Sequence, residues 1–502
     1  MLACMRTAAV YGIEACTVNV EVDVSFGLPC FTLVGLPDAS VRESRDRVKS
    51  AIRNSGYDYP PHRITVNLAP ADIRKAGSLF DLPIALGVLA ASGLVTRRNV
   101  DDTMLLGELS LDGGIHSARG VLPIAAAARQ QQFRSLLLPR PNRAEAAVVE
   151  GLELFAVRSL REAVTALNDP AAFRQSEGEG PPVAPAAAPH PGAGDFADVH
   201  GQLLARRALE IAAAGGHNTL MVGPPGAGKT MLARRVSGIL PPVTFEEALE
   251  VTSIHSVAGL IPAGSGLVSQ RPFRAPHHTI SDIGLVGGGS IPRPGEISLA
   301  HSGVLFLDEM GEFSRHVLEV LRQPMEEGVV RISRAARTAV FPSRFMLIGA
   351  MNPCPCGYHG DEMRRCRCTP QQITRYHTRL SGPLRDRMDL SVGMTALPAR
   401  DLSDAAGGES SAAVRARVVA ARECQLSRSG ILNARLQGRD LRKRARLSTT
   451  ACRLLDSALT KFSLTARGHD RLLRVARTIA DINGDEAVCA EHLAEALQFR
   501  SD

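Results

Sequence analysis

The sequence predicts an α/β chain in three parts: an α+β domain at the N-terminus, a phosphate-loop core on a parallel sheet, and a helical C-terminal segment. Three observations predict it. Residues 170–195 hold six prolines and almost no large apolar side chain, so they read as a linker dividing the 502-residue chain. Beyond it, short apolar strands alternate with helical stretches, the pattern of a parallel sheet, until only helical spacing remains from about Leu447. Between these lies Gly223, Pro224, Pro225, Gly226, Ala227, Gly228, Lys229, Thr230, directly after the apolar run 219–222 and before a helical stretch. The divisions expected are 1–169, the linker 170–195, a core over 196–395, and a basic segment with a helical lid over 396–502.

Composition narrows the class. An apolar fraction of 45% and a charged fraction of 22% suit a folded globular protein and exclude a disordered or collagenous one. No run approaches 18 consecutive apolar residues, and the start lacks a basic region followed by an apolar core, so a cytoplasmic protein without membrane association is expected. Ten cysteines are too sparse for a disulfide framework and should stay reduced. The net charge of +7 is concentrated in residues 415–446, which carry ten basic side chains against Glu423 and Asp440. That is a hint of a polyanionic partner, although a solvated basic face produces the same count.

In the first part, residues 16–24 alternate with Val18, Val20, Val22 and Val24 on one side, and 64–68 alternate similarly, as half-buried strands do. Residues 79–94 are apolar enough for a buried helix, and Leu136 to Pro139 reads as a late strand. No Ser/His/Asp, Cys/His or metal-ligand pattern emerges there.

The core carries the chemistry. The glycines of the phosphate loop let backbone N–H groups turn inward around phosphates, Lys229 reaches β- and γ-oxygens, and Thr230 ligates Mg2+. The apolar run 303–307 ends in Asp308 and Glu309; Asp308 would hold Mg2+ through water and Glu309 polarise the attacking water as general base. A third strand, 344–351, delivers Asn352, whose amide can position water or touch the γ-phosphate. Arg387 follows a helical stretch among acidic neighbours; it reads either as the cation a neighbouring ring subunit supplies to the γ-phosphate or as a surface ion pair.

Lys229 and Asp308 stand 79 residues apart, so the Gly-rich region from about 257 to 295 should be an insertion. Residues 329–341 read as a hairpin whose Arg331, Arg334 and Arg337 would either face nucleic-acid phosphates or form a solvated basic surface. His277 and His278 read as structural rather than as ligands. Cys354, Cys356, Cys366 and Cys368 lie within fifteen residues, four thiols suited to a tetrahedral structural Zn2+ or left as plain reduced cysteines, with His359 as a substitute ligand.

The segments 216–230, 271–278, 294–309 and 350–357 together resemble the magnesium-chelatase-like AAA+ ATPases of the YifB/ComM group, and the resemblance runs almost end to end. It implies a Lon-protease-like N-terminal domain, an AAA+ core of the helix-2-insert clade, a C-terminal lid, ATP and Mg2+ as cofactors, and a hexameric homo-oligomer driving branch migration on single-stranded or branched DNA in natural transformation. By resemblance Arg387 matches the arginine finger and Arg467 the sensor-2 position, with Arg474 as its rival; the segment 199–202 matches the stretch bordering adenine; the insertion is the helix-2 insert. Two other readings remain: a chelatase-type ATPase powering metal insertion into a tetrapyrrole or remodelling a protein partner, and an ATP-dependent protease. The protease is disfavoured, because Asp81 stands where Lon-like folds carry their serine and the first part has only Lys49 and Lys75.

Overall fold

The structure, a computed structural model, describes residues 1–71, 75, 77–96, 100–177, 194–289, 291–334, 337–361, 364–396, 408–462 and 464–500. The N-terminal part is built on β1 (Leu2–Tyr11), β2 (Glu14–Ser25), β3 (Cys30–Val34), β4 (Arg63–Ala69), β5 (Thr103–Leu105), a small hairpin of β6 (Glu108–Leu109) and β7 (Ile115–His116), then β8 (Ser135–Pro139) and β9 (Glu153–Val157). Seven of these form one sheet in the order β3-β4-β2-β1-β5-β8-β9. β2 runs antiparallel to β1 and β4; the other pairings are parallel. Val18, Val20 and Val22 are buried, as the alternation predicts, and the helix Asp81–Ala91 is buried along its whole length between sheet and neighbouring helices. Within it the Asp81 carboxylate takes a two-pronged hydrogen bond from Arg47, at 2.7 and 3.1 Å.

The linker expectation needs correction at its start. Pro170–Glu177 is a helix: proline suits a first helical position, whose N–H has no partner to lose, and Phe173 gains a buried edge contact with Phe155 at 6.1 Å. Residues 178–193 fall outside those described.

The second sheet contains β10 (Thr219–Val222), β11 (Phe273–Arg274), β14 (Val304–Leu307), β17 (Met346–Met351) and β18 (Leu390–Gly393). All are parallel, in the order β11-β14-β17-β10-β18. The expected insertion proves shorter than 257–295, because this stretch contributes edge strand β11. What is left over is chiefly a hairpin of β12 (Gly287–Gly288) and β13 (Arg293–Pro294), set between the short helices Asp282–Val286 and Glu296–Leu299. The hairpin expected over 329–341 is β15 (Val329–Ser333) paired antiparallel with β16 (Thr338–Pro342).

Helices begin earlier in the C-terminal part than Leu447: Ser411–Ser429 and Gly438–Ala445 precede Thr449–Lys461, Ala466–Asn483 and Ala490–Gln498. The basic residues between 415 and 446 had obscured the apolar face that Val414, Val418, Ala421 and Leu441 bury in one core with the parallel sheet. Part of that charge is paired or turned inward. Arg417 pairs with Glu210 and Glu409, Arg428 with Asp481, and burial pushes Arg422 down to about 9 while it donates to the Ala213 carbonyl. Among the described residues no helix is long and apolar enough to cross a membrane.

The two sheets meet along a polar seam. The Tyr11 hydroxyl donates to the Arg337 carbonyl at 2.8 Å, Gly264 N–H to the Pro141 carbonyl at 3.0 Å, and the Ser256 hydroxyl to buried Glu145.

Candidate nucleotide-binding site

β10 ends at Val222, and the loop that follows turns straight into the helix Lys229–Ile239. Gly226 and Gly228 sit at φ +82° and +87°, the left-handed backbone that lets successive N–H groups point into the concavity and that a side chain would strain. The Lys229 ammonium is buried, donating to the carbonyls of Gly223 (2.6 Å) and Pro224 (2.9 Å) and to Asn352 Oδ1 (3.0 Å). Burial lowers its pKa, opposed by the charges of Asp308 and Glu309. The Thr230 hydroxyl donates to Asp308 Oδ2 at 2.6 Å, and Asp308 Oδ1 accepts the Glu309 N–H at 2.9 Å. Glu309 itself has a left-handed backbone, φ +50°, and an exposed carboxylate.

Sheet order explains why these residues converge. β17 lies between β10 and β14, so Asn352 at its end emerges between the phosphate loop and the acidic pair. All five functional positions therefore stand at the carboxyl ends of parallel strands, where such sheets bind ligands. A lysine, a hydroxyl paired with a carboxylate, and inward N–H groups are the donor set that a magnesium-bound nucleotide triphosphate requires. Gln202 borders the same loop, donating to the carbonyls of Ala227 (3.3 Å) and Thr395 (2.7 Å).

One neighbour was missed. His278 Nδ1 lies 3.6 Å from Glu309 Oε2, and its ring lies tilted by 34° against that of His277 with centroids 4.0 Å apart. The sequence weighs the pair as structural because β11, which carries them to the site, is only two residues long and leaves no periodic signal.

Residues 195–402 match the family described as magnesium chelatase, subunit ChlI; residues 20–142 match subunit ChlI of Mg-chelatase, and 408–500 its C-terminal part. Competence protein ComM of Haemophilus influenzae is 45% identical over 503 residues, spanning 100% of this chain and 97% of the relative. The chain belongs to the YifB/ComM magnesium-chelatase-like family. The protein YifB of Salmonella typhimurium is also 45% identical, over 501 residues, 100% of this chain and 97% of its own length. More remote is the magnesium-chelatase 38 kDa subunit of Rhodobacter capsulatus, 26% identical over 319 residues, which are 59% of this chain and 84% of that one.

In this YifB/ComM family member the two other expected site arginines stand away from the phosphate loop. The Arg387 carbonyl accepts from Asn218 Nδ2 at 3.1 Å, and Asn218 immediately precedes β10, whereas the loop follows it. Four strand residues, about 13 Å, intervene. Arg387 pairs with Glu326, and Arg467 lies 4.0 Å from Asp386; both line a groove of about 750 Å3 at the amino ends of the strands, with Arg344, Arg435 and Arg474. Arg474 is held inside the chain, donating to the Ala434 carbonyl at 2.9 Å and lying 3.5 Å from Asp389.

The three hairpin arginines do not share one free face. Arg331 pairs with Glu327, Arg334 Nε donates to the Gly289 carbonyl at 3.1 Å, and Arg337 contacts Cys16 Sγ at 3.5 Å. Arg334 thus reaches the β12–β13 hairpin and Arg337 reaches β2, partners that lie far away in the sequence, and all three arginines are exposed.

The four cysteines do come together, their sulfurs all within 4.8 Å of one another; His359 is not part of the group. Cys354 is buried, and the backbone N–H groups of Arg367 and Tyr358 bring the Cys356 thiol down to about 6.

Proposed function

We propose that this protein is an ATP-hydrolysing ring motor that acts on branched or single-stranded DNA, in the cytoplasm, as a homo-oligomer, most simply a hexamer. The observation that carries the reading is the separation of Lys229, Thr230, Asp308, Glu309 and Asn352 from Arg387 and Arg467 at opposite ends of one short sheet. A subunit so built is incomplete at each end and complements a copy of itself.

Lys229 and the loop N–H groups hold the phosphates, and Thr230 and Asp308 hold Mg2+, which neutralises charge on the β- and γ-oxygens when bound. Glu309 takes the proton of the attacking water, with His278 close beside it, and Asn352 orients the γ-phosphate from between the two strands. Arg387, with Arg467, stabilises the transferring phosphoryl group of the neighbouring subunit. The N-terminal part is a Lon-like binding or assembly domain, consistent with an Asp81 that is committed to Arg47. The likeness to a protein named for competence supports a task in the uptake or recombination of DNA.

A chelatase-type ATPase is the second reading, favoured by the likeness to a magnesium-chelatase subunit. Stimulation of ATP turnover separates them: DNA should stimulate the motor, a porphyrin-binding partner the chelatase, and unfolded protein a protease. ATP-dependent movement of a synthetic four-way junction by the purified protein is the direct test. No movement, together with turnover indifferent to DNA, overturns the motor.

A further inference from the structure

We propose that Cys354, Cys356, Cys366 and Cys368 hold one Zn2+, and that this metal braces the nucleotide site so that metal and nucleotide each strengthen the other's binding. The second half rests on the nucleotide reading of the phosphate loop; the first half does not.

Four thiolates around Zn2+ at about 2.3 Å place neighbouring sulfurs about 3.8 Å apart in a tetrahedron. The sulfur of Cys354 lies 3.3 Å from Cys356 and 3.7 Å from Cys366, and Cys356 lies 3.6 Å from Cys366. These spacings are far longer than a disulfide's roughly 2.05 Å. The Cys368 N–H also points at Cys366 Sγ, 3.4 Å away, which brings the second pair of cysteines into one turn. With four protein ligands no coordination position is left for catalysis, so the metal's role is structural.

Its place gives that role a direction. Cys354 stands two residues beyond Asn352, whose Oδ1 receives Lys229. Gly357, between the cysteine pairs, has φ +87°, and a Cβ there would come within 2.5 Å of Pro225 Cδ in the phosphate loop. The far side is pinned by His377 Nε2, 3.0 Å from the Pro353 carbonyl. The cysteine loop is therefore pressed against the phosphate loop at Pro225 and tied to the γ-phosphate reader at Asn352. A cross-link that fixes the cysteine loop removes conformational freedom the nucleotide would otherwise have to order, and linkage makes the benefit mutual.

The test uses the full-length protein purified without chelators. Elemental analysis is expected to find one zinc per chain. On treatment with an organomercurial, zinc release to 4-(2-pyridylazo)resorcinol should slow roughly fivefold or more when a magnesium-bound, non-hydrolysable ATP analogue is present. Gly357→Ala keeps all four thiols and should keep the zinc while losing the protection. Binding of a fluorescent nucleotide is measured in parallel. Absence of zinc from reduced protein overturns the metal site. Zinc released at the same rate with nucleotide demonstrably bound overturns the coupling alone. Failure of the wild-type chain to bind nucleotide overturns the coupling together with the reading it rests on.

Discussion

Lys229 and Glu309 occupy one site, but their removal should separate binding from turnover. Lys229→Ala deletes the ammonium that reaches both loop carbonyls and Asn352, and equilibrium titration with a fluorescent nucleotide should show binding lost. Glu309→Gln keeps the shape of the side chain and removes its basicity, so nucleotide affinity should persist while turnover falls on the order of 10²- to 10⁴-fold in a phosphate-release assay. Equal affinity and full turnover in both variants would dissolve the assignment. These residues were legible from sequence because Lys229 closes a glycine-rich loop that follows an apolar strand, and Glu309 stands just beyond another such strand. His278 was not legible: its proximity to Glu309 depends on the pairing of β11 with β14, a contact between residues thirty-one positions apart. The cysteines were legible as a cluster because close spacing in the chain enforces closeness in space. Their approach to Pro225 was not, since it depends on the lateral order of two strands.

The hairpin of β15 and β16 could be read from its alternation, with Val330 and Ile332 buried and Arg331 and Ser333 exposed, but its partners could not. If it contacts DNA, replacing Arg334 and Arg337 by Ala should weaken binding across all sequences and flatten the salt dependence by up to roughly one unit of slope per lost contact. Basal ATP turnover should survive, and a wild-type salt slope in the double variant would move the DNA contact elsewhere. The start of β18 offers a test of stability. Asp389 is buried there; burial alone would raise its pKa, but His217 and Arg474 hold it below the ordinary carboxylate value. A depressed carboxylate contributes stability above its unfolded pKa of about 3.9 and loses it as pH falls through the folded value, so this contribution is intact from pH 8 to 5 and fades only below about pH 4. Asp389→Asn should cost on the order of 3 kcal/mol in urea unfolding at pH 7, by stranding its partners, with the difference from wild type shrinking in strong acid. A difference that grows on acidification would contradict the arrangement.

A ring in which each subunit completes its neighbour makes a claim about mixtures. Arg387→Ala subunits should bind nucleotide and stay inactive, Lys229→Ala subunits should fail to bind it, and mixing the two should restore part of the turnover, because some interfaces then join an intact phosphate loop to an intact arginine. No recovery in mixed rings of normal size would remove Arg387 from the neighbour's site. The division of the chain was legible at the scale of sheets, where proline density and strand alternation speak. It was not legible at the seam between them, where Tyr11 meets Arg337 and Glu145 meets Ser256 across more than a hundred residues. The order of the central sheet has a mechanical consequence. β17 begins just beyond the hairpin and ends at Asn352, a span of about 20 Å. It is hydrogen-bonded along both edges and buried along its whole length, so sliding it would break two ladders at once. Its approach is stapled as well: the Ser343 N–H to the Gly328 carbonyl at 2.8 Å, the Arg344 N–H to His301 Nδ1 at 3.0 Å, and the Ser302 N–H to the Arg344 carbonyl at 2.7 Å. A load applied to the hairpin should therefore reach Asn352 with little lost to bending on the way, as through a push-rod.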